Sequence, residues 1–330
     1  MKIIRSGLTL MMVVLLPVIF IQGCAGDITP LAEEKTVPHE DRWGIYRLDI
    51  DSQEIEIIYS SPDQIFTSSP RLDSRGERIA FAQKTGGSDD SNMEIYVVNV
   101  DGENLQRITD NDYFDLYPVW SPNDTQIAFL SRRNKDLDIY VMNADGTNAK
   151  KFYDSGDNDA DIHWEDNIIV FTSRFAIWKI NEDGSEPVQV TDMKNRGEWG
   201  IANLPLGDYD PRLSPDGNTI VFERLENADI PNGGYNFFTI NTDGTGEVRL
   251  TDNGYSQGLA DWSHSGERLV YTVAAIDGAG KYDIYIMNRD GTDNHNITPD
   301  YFPDSFICYG TTFSIDDSAI YFTGEWWEAE

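Results

Sequence analysis

Cysteine, histidine and basic residues are all scarce in this chain of 330 residues. There are two cysteines and four histidines, and 25 Lys and Arg face 57 Asp and Glu, for a formal net charge of −32. An excess of negative charge repels phosphates, so we expect no nucleic-acid partner. Helical periodicity is missing from every long stretch, which disfavours a helical fold.

The first residues read as a targeting segment. Lys2 and Arg5 precede an apolar run, Leu8–Ile21, and the run ends in Ile21-Gln22-Gly23-Cys24. This pattern resembles the lipobox of prokaryotic lipoproteins and predicts a signal peptide over residues 1–23, with a lipid on Cys24. The protein would then be exported and lipid-anchored to the membrane or envelope of a prokaryotic cell. An uncleaved anchor helix and an ordinary secretory signal are the alternatives, and both also export the chain.

Residues 24–41 contain prolines and several charges, and they predict a flexible tether. If Cys24 is acylated, Cys308 has no cysteine left to pair with in the same chain. We therefore expect Cys308 to be a small buried apolar side chain.

One strand-and-turn motif recurs along the chain. Each copy is a run of β-forming residues followed by Asp-Gly, the strongest short signal for a tight turn between strands. The three clearest copies are EIYVVNVDG (94–102), DIYVMNADG (138–146) and DIYIMNRDG (283–291), and two weaker ones are IWKINEDG (177–184) and FFTINTDG (237–244). A motif repeated at this spacing indicates a repeat architecture.

Each repeat unit contains four predicted strands. Gly102 and Gly146 are 44 positions apart, and Gly244 and Gly291 are 47 apart, within the ~40–50 residues of a four-stranded propeller blade. A wider interval in the middle of the chain reflects insertions at 194–207 and 226–235. Middle strands that are apolar on both faces fit blades packed between two neighbours. A pair of large β-sandwiches is the alternative.

The two ends of the repeat region are complementary. Residues 42–60 supply two strands that match the later half of a unit, and residues 306–327 supply the first two strands of a unit. Together they would make a closing blade. The sequence thus predicts an all-β domain over residues 42–327, a six-bladed β-propeller of four-stranded antiparallel blades, expected to be a monomer.

The repeats resemble those of a known family. SPDGNTIVF (214–222) and DIYVMNADGTN (138–148) look like the repeat of TolB-type β-propellers. The resemblance implies a cell-envelope binding or scaffold protein that engages a protein or peptide at the mouth of its channel. TolB itself resembles a propeller preceded by an α/β domain, and here only the short tether precedes residue 42. Related propeller proteases carry a separate hydrolase domain, which this sequence does not contain.

Signals of catalysis are weak. Residues 254–258 match G-x-S-x-G, but this stretch is a predicted loop between blades and no helix follows it. The histidines, at positions 39, 163, 264 and 295, form no H-x-x-H pair, which disfavours a zinc site. We therefore expect no enzymatic activity, with a channel-sited hydrolase or lyase acting on peptide or polysaccharide as the alternative.

The central channel is the predicted binding site, because the first strands of all blades line it. Counted back from the end of each first strand, Asp115, Asp159 and Asp208 share one level, and Asp161 and Asp210 fall two positions later on the same side. This alignment motivates the hypothesis of a calcium ion bound by these five aspartates. The predicted ligand contacts, to a protein, a peptide or a glycan, are Arg71, Asp115, Tyr117, Asp159, His163, Asp208, Tyr209 and Arg212.

Overall fold

The computed structural model describes residues 35–38, 41–62, 65–85, 92–200, 205–229, 233–252, 256–274 and 282–327. The predicted signal peptide, Cys24, most of the predicted tether and His39 lie outside these ranges. No helix within them is long and apolar enough to cross a membrane.

Runs of β-branched and aromatic residues, separated by turns rich in Asp, Asn and Gly, fold as strands throughout the described residues. In chain order these strands are β1 (Trp43–Asp49), β2 (Ile55–Ser60), β3 (Arg71–Leu72), β4 (Arg78–Lys84), β5 (Met93–Asn99), β6 (Gln106–Arg107), β7 (Asp115–Trp120), β8 (Gln126–Ser131), β9 (Asp138–Asn143), β10 (Lys150–Tyr153), β11 (Asp159–Glu165), β12 (Ile168–Ser173), β13 (Ala176–Asn181), β14 (Val188–Gln189), β15 (Gly207–Leu213), β16 (Thr219–Asn227), β17 (Gly234–Asn241), β18 (Val248–Arg249), β19 (Ser256–Trp262), β20 (Arg268–Ala274), β21 (Tyr282–Asn288), β22 (His295–Asn296), β23 (Phe306–Phe313) and β24 (Ala319–Trp326).

These strands form six four-stranded antiparallel sheets, which confirms the predicted six-bladed propeller. Blades 1 to 5 take consecutive strands, β3–β6, β7–β10, β11–β14, β15–β18 and β19–β22. The closing blade has the order β2-β1-β24-β23, so it joins both ends of the repeat region. In it Trp43 pairs with Glu325 and Asp49 pairs with Ala319 in an unbroken antiparallel register.

The hydrophobic core is divided among the junctions between neighbouring blades. Six clusters of buried residues each draw on two adjacent blades, including the junctions of the closing blade with blade 5 and with blade 1. In blade 2, for example, Ile139 to Met142 are all buried, because both faces of the sheet are covered. Since every junction has its own core, the ring of blades is closed.

Two recurring polar residues explain the repeat motifs. A Ser before the turn between the first two strands accepts a hydrogen bond from the backbone N–H five residues later, as Ser214 Oγ does from Thr219 at 3.0 Å. A Thr after the fourth strand accepts one from the third strand, as Thr251 Oγ1 does from the Phe237 N–H at 2.9 Å. Both bonds satisfy backbone donors at strand ends, which would otherwise be buried without partners.

The segment before β1 is docked on the propeller. Val37, which falls within the predicted tether, is 6% exposed and packs in the core cluster that contains Tyr46 and Phe306. The Tyr46 hydroxyl donates a hydrogen bond to the carbonyl oxygen of Pro38 at 3.3 Å. The unit that contains the propeller accordingly begins at Thr36.

The two insertions of blade 4 pack on each other. Leu206, Leu225 and Ala228 form a small buried cluster outside the inter-blade cores. Trp199, in the first insertion, leaves 67% of its surface exposed.

Candidate functional site

The first strands of five blades carry a β-bulge where they face the channel. Their register to the second strand shifts between Leu116 and Val119 in blade 2 and at the corresponding positions in blades 3, 4, 5 and the closing blade. The first residue of each bulge has a positive φ; these residues are Tyr117 (50°), Asp161 (52°), Asp210 (47°), Leu259 (59°) and Gly310 (65°). A bulge inserts one residue and re-aims the side chains that follow it.

The bulge divides the five predicted aspartates into two sets. Asp115, Asp159 and Asp208 precede it at equivalent positions, and all three side chains are buried. Asp161 and Asp210 lie in the bulge itself. Since the bulge interrupts the two-residue period, spacing alone no longer places both sets on one side of the strand.

Two of the three aspartates before the bulge are hydrogen-bonded to nearby side chains. Asp208 receives two hydrogen bonds from the Arg224 guanidinium, at 2.6 and 3.1 Å. Asp115 accepts from Ser131 Oγ at 2.5 Å and from Asn111 Nδ2 at 2.8 Å. Burial raises the pKa of Asp159 to about 6, and neither of its carboxylate oxygens has a hydrogen-bond partner among the described residues. These three side chains are therefore buried in the interior and do not line the cavity described below.

The two bulge aspartates meet a third carboxyl group in the channel. The Asp210 N–H donates to Asp161 Oδ2 at 3.4 Å, and Glu223 of β16 accepts a hydrogen bond from the Leu259 N–H. Burial raises the pKa of Asp161 and that of Glu223, and burial together with the charge of Asp161 raises that of Asp210 to about 7. At neutral pH this cluster therefore carries less negative charge than its three carboxyl groups imply.

One residue of each blade lies directly before the Leu, Trp or Phe near the end of its first strand, and these six equivalent residues form a ring. Its members are Arg71, Val119, His163, Arg212, Asp261 and Thr312. Trp120 and Trp262 brace it from the next blade, because their indole N–H groups donate to the carbonyl oxygens of Arg71 and Arg212, both at 3.0 Å. We call these six residues the waist of the channel.

A cavity of about 180 Å³ lies next to the waist, at the end where the first strands finish, and all six blades contribute to it. We call it the axial cavity. Its walls include Arg71, Asp73, His163, Asp261 and the aromatic side chains Trp120, Trp164, Trp262 and Phe313. A neighbouring Glu165 also lines it, and burial raises the pKa of that carboxyl to about 7.

Only part of the predicted site reaches the axial cavity. Arg71 and His163 line it, whereas the three aspartates before the bulge do not. Arg212 is buried at the waist, and the Tyr209 hydroxyl donates to the carbonyl oxygen of Pro205 at 2.5 Å. Burial raises the pKa of Tyr117.

Of the five predicted calcium ligands, the structure brings only Asp161 and Asp210 together. Within the described ranges no group of three or more His, Cys, Asp or Glu side chains is placed to hold a metal ion. The five aspartates divide into the two sets described above.

The sequence reasoning missed Asp261 and Glu223. Asp261 had a visible signal, because it occupies the same place before the terminal Trp of its strand as His163 does in blade 3. Glu223 had no such signal in the sequence, because it lies on a second strand. It reaches the channel region through a contact with Leu259 of the next blade.

Comparisons with known proteins agree with this architecture. A family model described as the TolB beta propeller domain matches residues 39–180. The match and the solved structures support a TolB-type propeller. A TolB protein of Agrobacterium tumefaciens superposes with a TM-score of 0.66 and 15% identity, over 87% of this chain and 99% of that one.

Two further structures show how widely the fold is used. TolB of Acinetobacter baumannii gives a TM-score of 0.56 at 17% identity, over 76% of this chain and 64% of that one. An oligogalacturonate lyase of Vibrio parahaemolyticus gives 0.51 at 14% identity, over 75% of this chain and 72% of that one. At these identities the likeness shows a shared fold alone, and function must be argued from the site.

Proposed function

We propose that this chain is a binding and scaffold protein of the cell envelope, which takes a segment of a protein or peptide into its axial cavity without catalysing a reaction. One observation supports it above the others: all six blades contribute walls to a single cavity on the channel axis. A TolB-like propeller fold is compatible with such a role.

The size and walls of the cavity favour a short protruding segment over a folded domain. A volume of about 180 Å³ corresponds to roughly six water molecules at ~30 Å³ each, or one or two side chains. The indole N–H groups of Trp120 and Trp262 are already bonded and both side chains are almost fully buried, so these rings form a fixed, largely apolar part of the cavity wall. Rigid aromatic walls give contact area at little entropic cost.

Peptide display tests the proposal. A random peptide library is selected on the purified protein, and the selected peptides are then titrated against Ile315→Trp. Ile315 is 41% exposed and lines the cavity, so an indole at this place obstructs the rim. The matched control is Val248→Trp, at an exposed position on the outer strand β18. We expect at least a tenfold loss of affinity for the first variant and no loss for the second.

Equal affinity for both variants would contradict the cavity as the binding site. The peptides are also recovered and weighed by mass spectrometry, and polysaccharides are incubated in parallel. Cleavage of either would replace the binding proposal by the alternative of a channel-sited hydrolase or lyase.

The proposal includes export and a lipid on Cys24, which the lipobox-like sequence supports. Metabolic labelling with an alkyne fatty acid in a bacterial host tests it. We expect the wild type and Cys308→Ser to be labelled and Cys24→Ser to be unlabelled. Cys308 is a suitable control because it is the other cysteine of the chain and is buried. An unlabelled wild type would contradict the anchor.

A further inference from the structure

Two arginines occupy equivalent positions on opposite sides of the waist. Arg71 belongs to blade 1 and Arg212 to blade 4, and each directly follows a proline at the same place in its first strand. Each Nη1 donates to the carbonyl oxygen of its own preceding proline, at 3.1 Å for Pro70 and 2.8 Å for Pro211. Burial lowers the pKa of Arg71 to about 10, and the positive charge of Arg212 is the next cause.

Neither guanidinium of this pair makes a hydrogen-bonded ion pair with a carboxylate among the described residues, although the charges of Asp210 and Asp261 act on Arg71. The Arg212 side chain is 1% exposed, and its Nε has no hydrogen-bond partner among the described residues. Its Nη2 lies 3.8 Å from Asp210 Oδ1, which is beyond hydrogen-bond distance, and that oxygen also lacks a partner within the described part of the chain. Asp73 of the cavity wall is paired with Arg78 at 2.8 Å. The waist therefore keeps guanidinium N–H donors that no described carboxylate accepts from.

His163 adds a second donor beside Arg71. Its Nδ1 accepts a hydrogen bond from the Leu213 N–H at 3.1 Å, so the neutral ring carries its proton on Nε2. Burial, followed by the charges of Arg212 and Arg71, lowers the pKa of His163 well below its usual value, which keeps the ring neutral. His163 and Arg71 both line the axial cavity.

We infer that Arg71 and His163, within the field of Arg212, form a subsite for a carboxylate group of the ligand. A guanidinium presents two parallel N–H donors that match the two oxygens of a carboxylate, and the imidazole Nε2–H supplies another. The carboxylate belongs to a peptide, as an acidic side chain or a C-terminus, or to a uronic acid of a glycan. The inference rests on the proposed function, in that it places this group in the axial cavity.

The negative charge of Asp261 opposes the binding of an anion at the subsite, so a variant without this charge tests the inference. Asp261 lines the same cavity, and its negative charge raises the pKa of Arg71. Within the described residues the two side chains form no ion pair. Removal of this charge should strengthen the binding of an anion without removing a donor.

The test is isothermal titration of the purified full-length protein, in chloride-free buffer of low ionic strength, with two pairs of probes. N-acetylalanine is compared with its amide, and glucuronate with glucose. We expect the acid of at least one pair to bind and its neutral partner to bind at least tenfold more weakly. The pair that discriminates identifies the peptide or the glycan as the source.

Three variants assign the binding to the subsite. Arg71→Met should lower the affinity for the acid probe at least tenfold, and Asp261→Asn should raise it several-fold. The affinity of Arg71→Lys should lie between those of wild type and Arg71→Met. Arg75→Met is the matched control, because Arg75 is 62% exposed and lies outside the cavity walls. If Arg71→Met does not fold, the higher affinity expected of Asp261→Asn still tests the subsite.

Equal binding of acid and neutral probes, no binding of any probe, or unchanged affinity in both Arg71→Met and Asp261→Asn overturns the carboxylate subsite. If the displayed peptides then still require the cavity, the proposed function survives the loss of this inference. If instead the probes bind as expected while the peptides ignore Ile315→Trp, the subsite stands and the peptide-binding proposal fails.

Discussion

Gly310 lies directly against Ser69 at the seam between the closing blade and blade 1. A Cβ atom at position 310 would lie 2.0 Å from Ser69 Oγ, and Gly310 has a φ of 65°. Nearby, Thr323 Oγ1 donates to the carbonyl oxygen of Ser68 at 2.9 Å across the same seam. The segment just before β3 thus touches the closing blade, and glycine is needed at the contact for both conformation and space.

We expect Gly310→Ala to lower the free energy of unfolding by about 2–4 kcal/mol. The left-handed backbone contributes about 1 kcal/mol of this and overpacking against Ser69 the remainder. Urea denaturation followed by tryptophan fluorescence measures it. The matched control is Gly156→Ala, with a φ of 78° and no atom within 4 Å of its new Cβ, which should cost only the backbone part.

Ser69→Gly in the Gly310→Ala background should recover most of the overpacking cost, because it removes the atoms that the new methyl group meets. A Gly310→Ala variant no less stable than Gly156→Ala would show that the seam is loosely packed.

Val37 should stabilise the propeller from outside the blades. Val37→Ala removes two buried methyl groups from the cluster around Tyr46 and Phe306, and we expect a loss of about 1–3 kcal/mol in the free energy of unfolding. Val248→Ala, at a position that is 53% exposed, is the control and should change it by less than about 0.5 kcal/mol. Equal stability of the two variants would mean that residues 36–38 are not docked in solution.

Asp210 should make the protein less stable as the pH rises from about 4 to about 7. Its pKa is raised from 3.8 to about 7, so the native state binds more protons than the unfolded chain in this window. The free energy of unfolding therefore falls with rising pH. Asp210→Asn removes this titration and should be more stable than wild type at pH 8, by about 1–3 kcal/mol, and nearly equal to it at pH 4.

Asp316→Asn should show the opposite pH dependence. Hydrogen bonds from Ser314 and Ser318 lower the pKa of Asp316 to about 2, so its contribution is present above about pH 4 and lost as the pH falls. This variant should be less stable than wild type at neutral pH, with the difference disappearing in acid. Thermal melts from pH 2 to pH 8 check both variants, and parallel curves for Asp210→Asn and wild type would contradict the buried carboxyl cluster.

The blades were predictable because their signals are local. A β-forming run such as Ile139–Met142, followed by Asp145-Gly146, specifies strand and turn within nine residues, and its repetition specifies the unit. The closing blade was predicted by counting strands, since the first unit lacks two strands and the last unit has only two. Trp43 pairing with Glu325 confirms that step.

The predicted site was only partly recovered, and the bulge is the reason. Counting by twos from the strand end placed Asp161 on the same side as Asp159, but the extra residue in the first strand sends them to different surroundings. No sequence motif announces this bulge, because Tyr117, Asp161, Asp210, Leu259 and Gly310 share a backbone conformation and no side-chain chemistry.

The sequence by itself determined the number of blades, the four strands in each and the closure of the ring, because hydrogen-bonded strands and tight turns depend on residues close together in the chain. Only the tertiary structure decided which side chains meet on the axis. Arg71 and Arg212 lie on opposite sides of the waist because six separate strands converge there, and the distances across a channel depend on every blade at once.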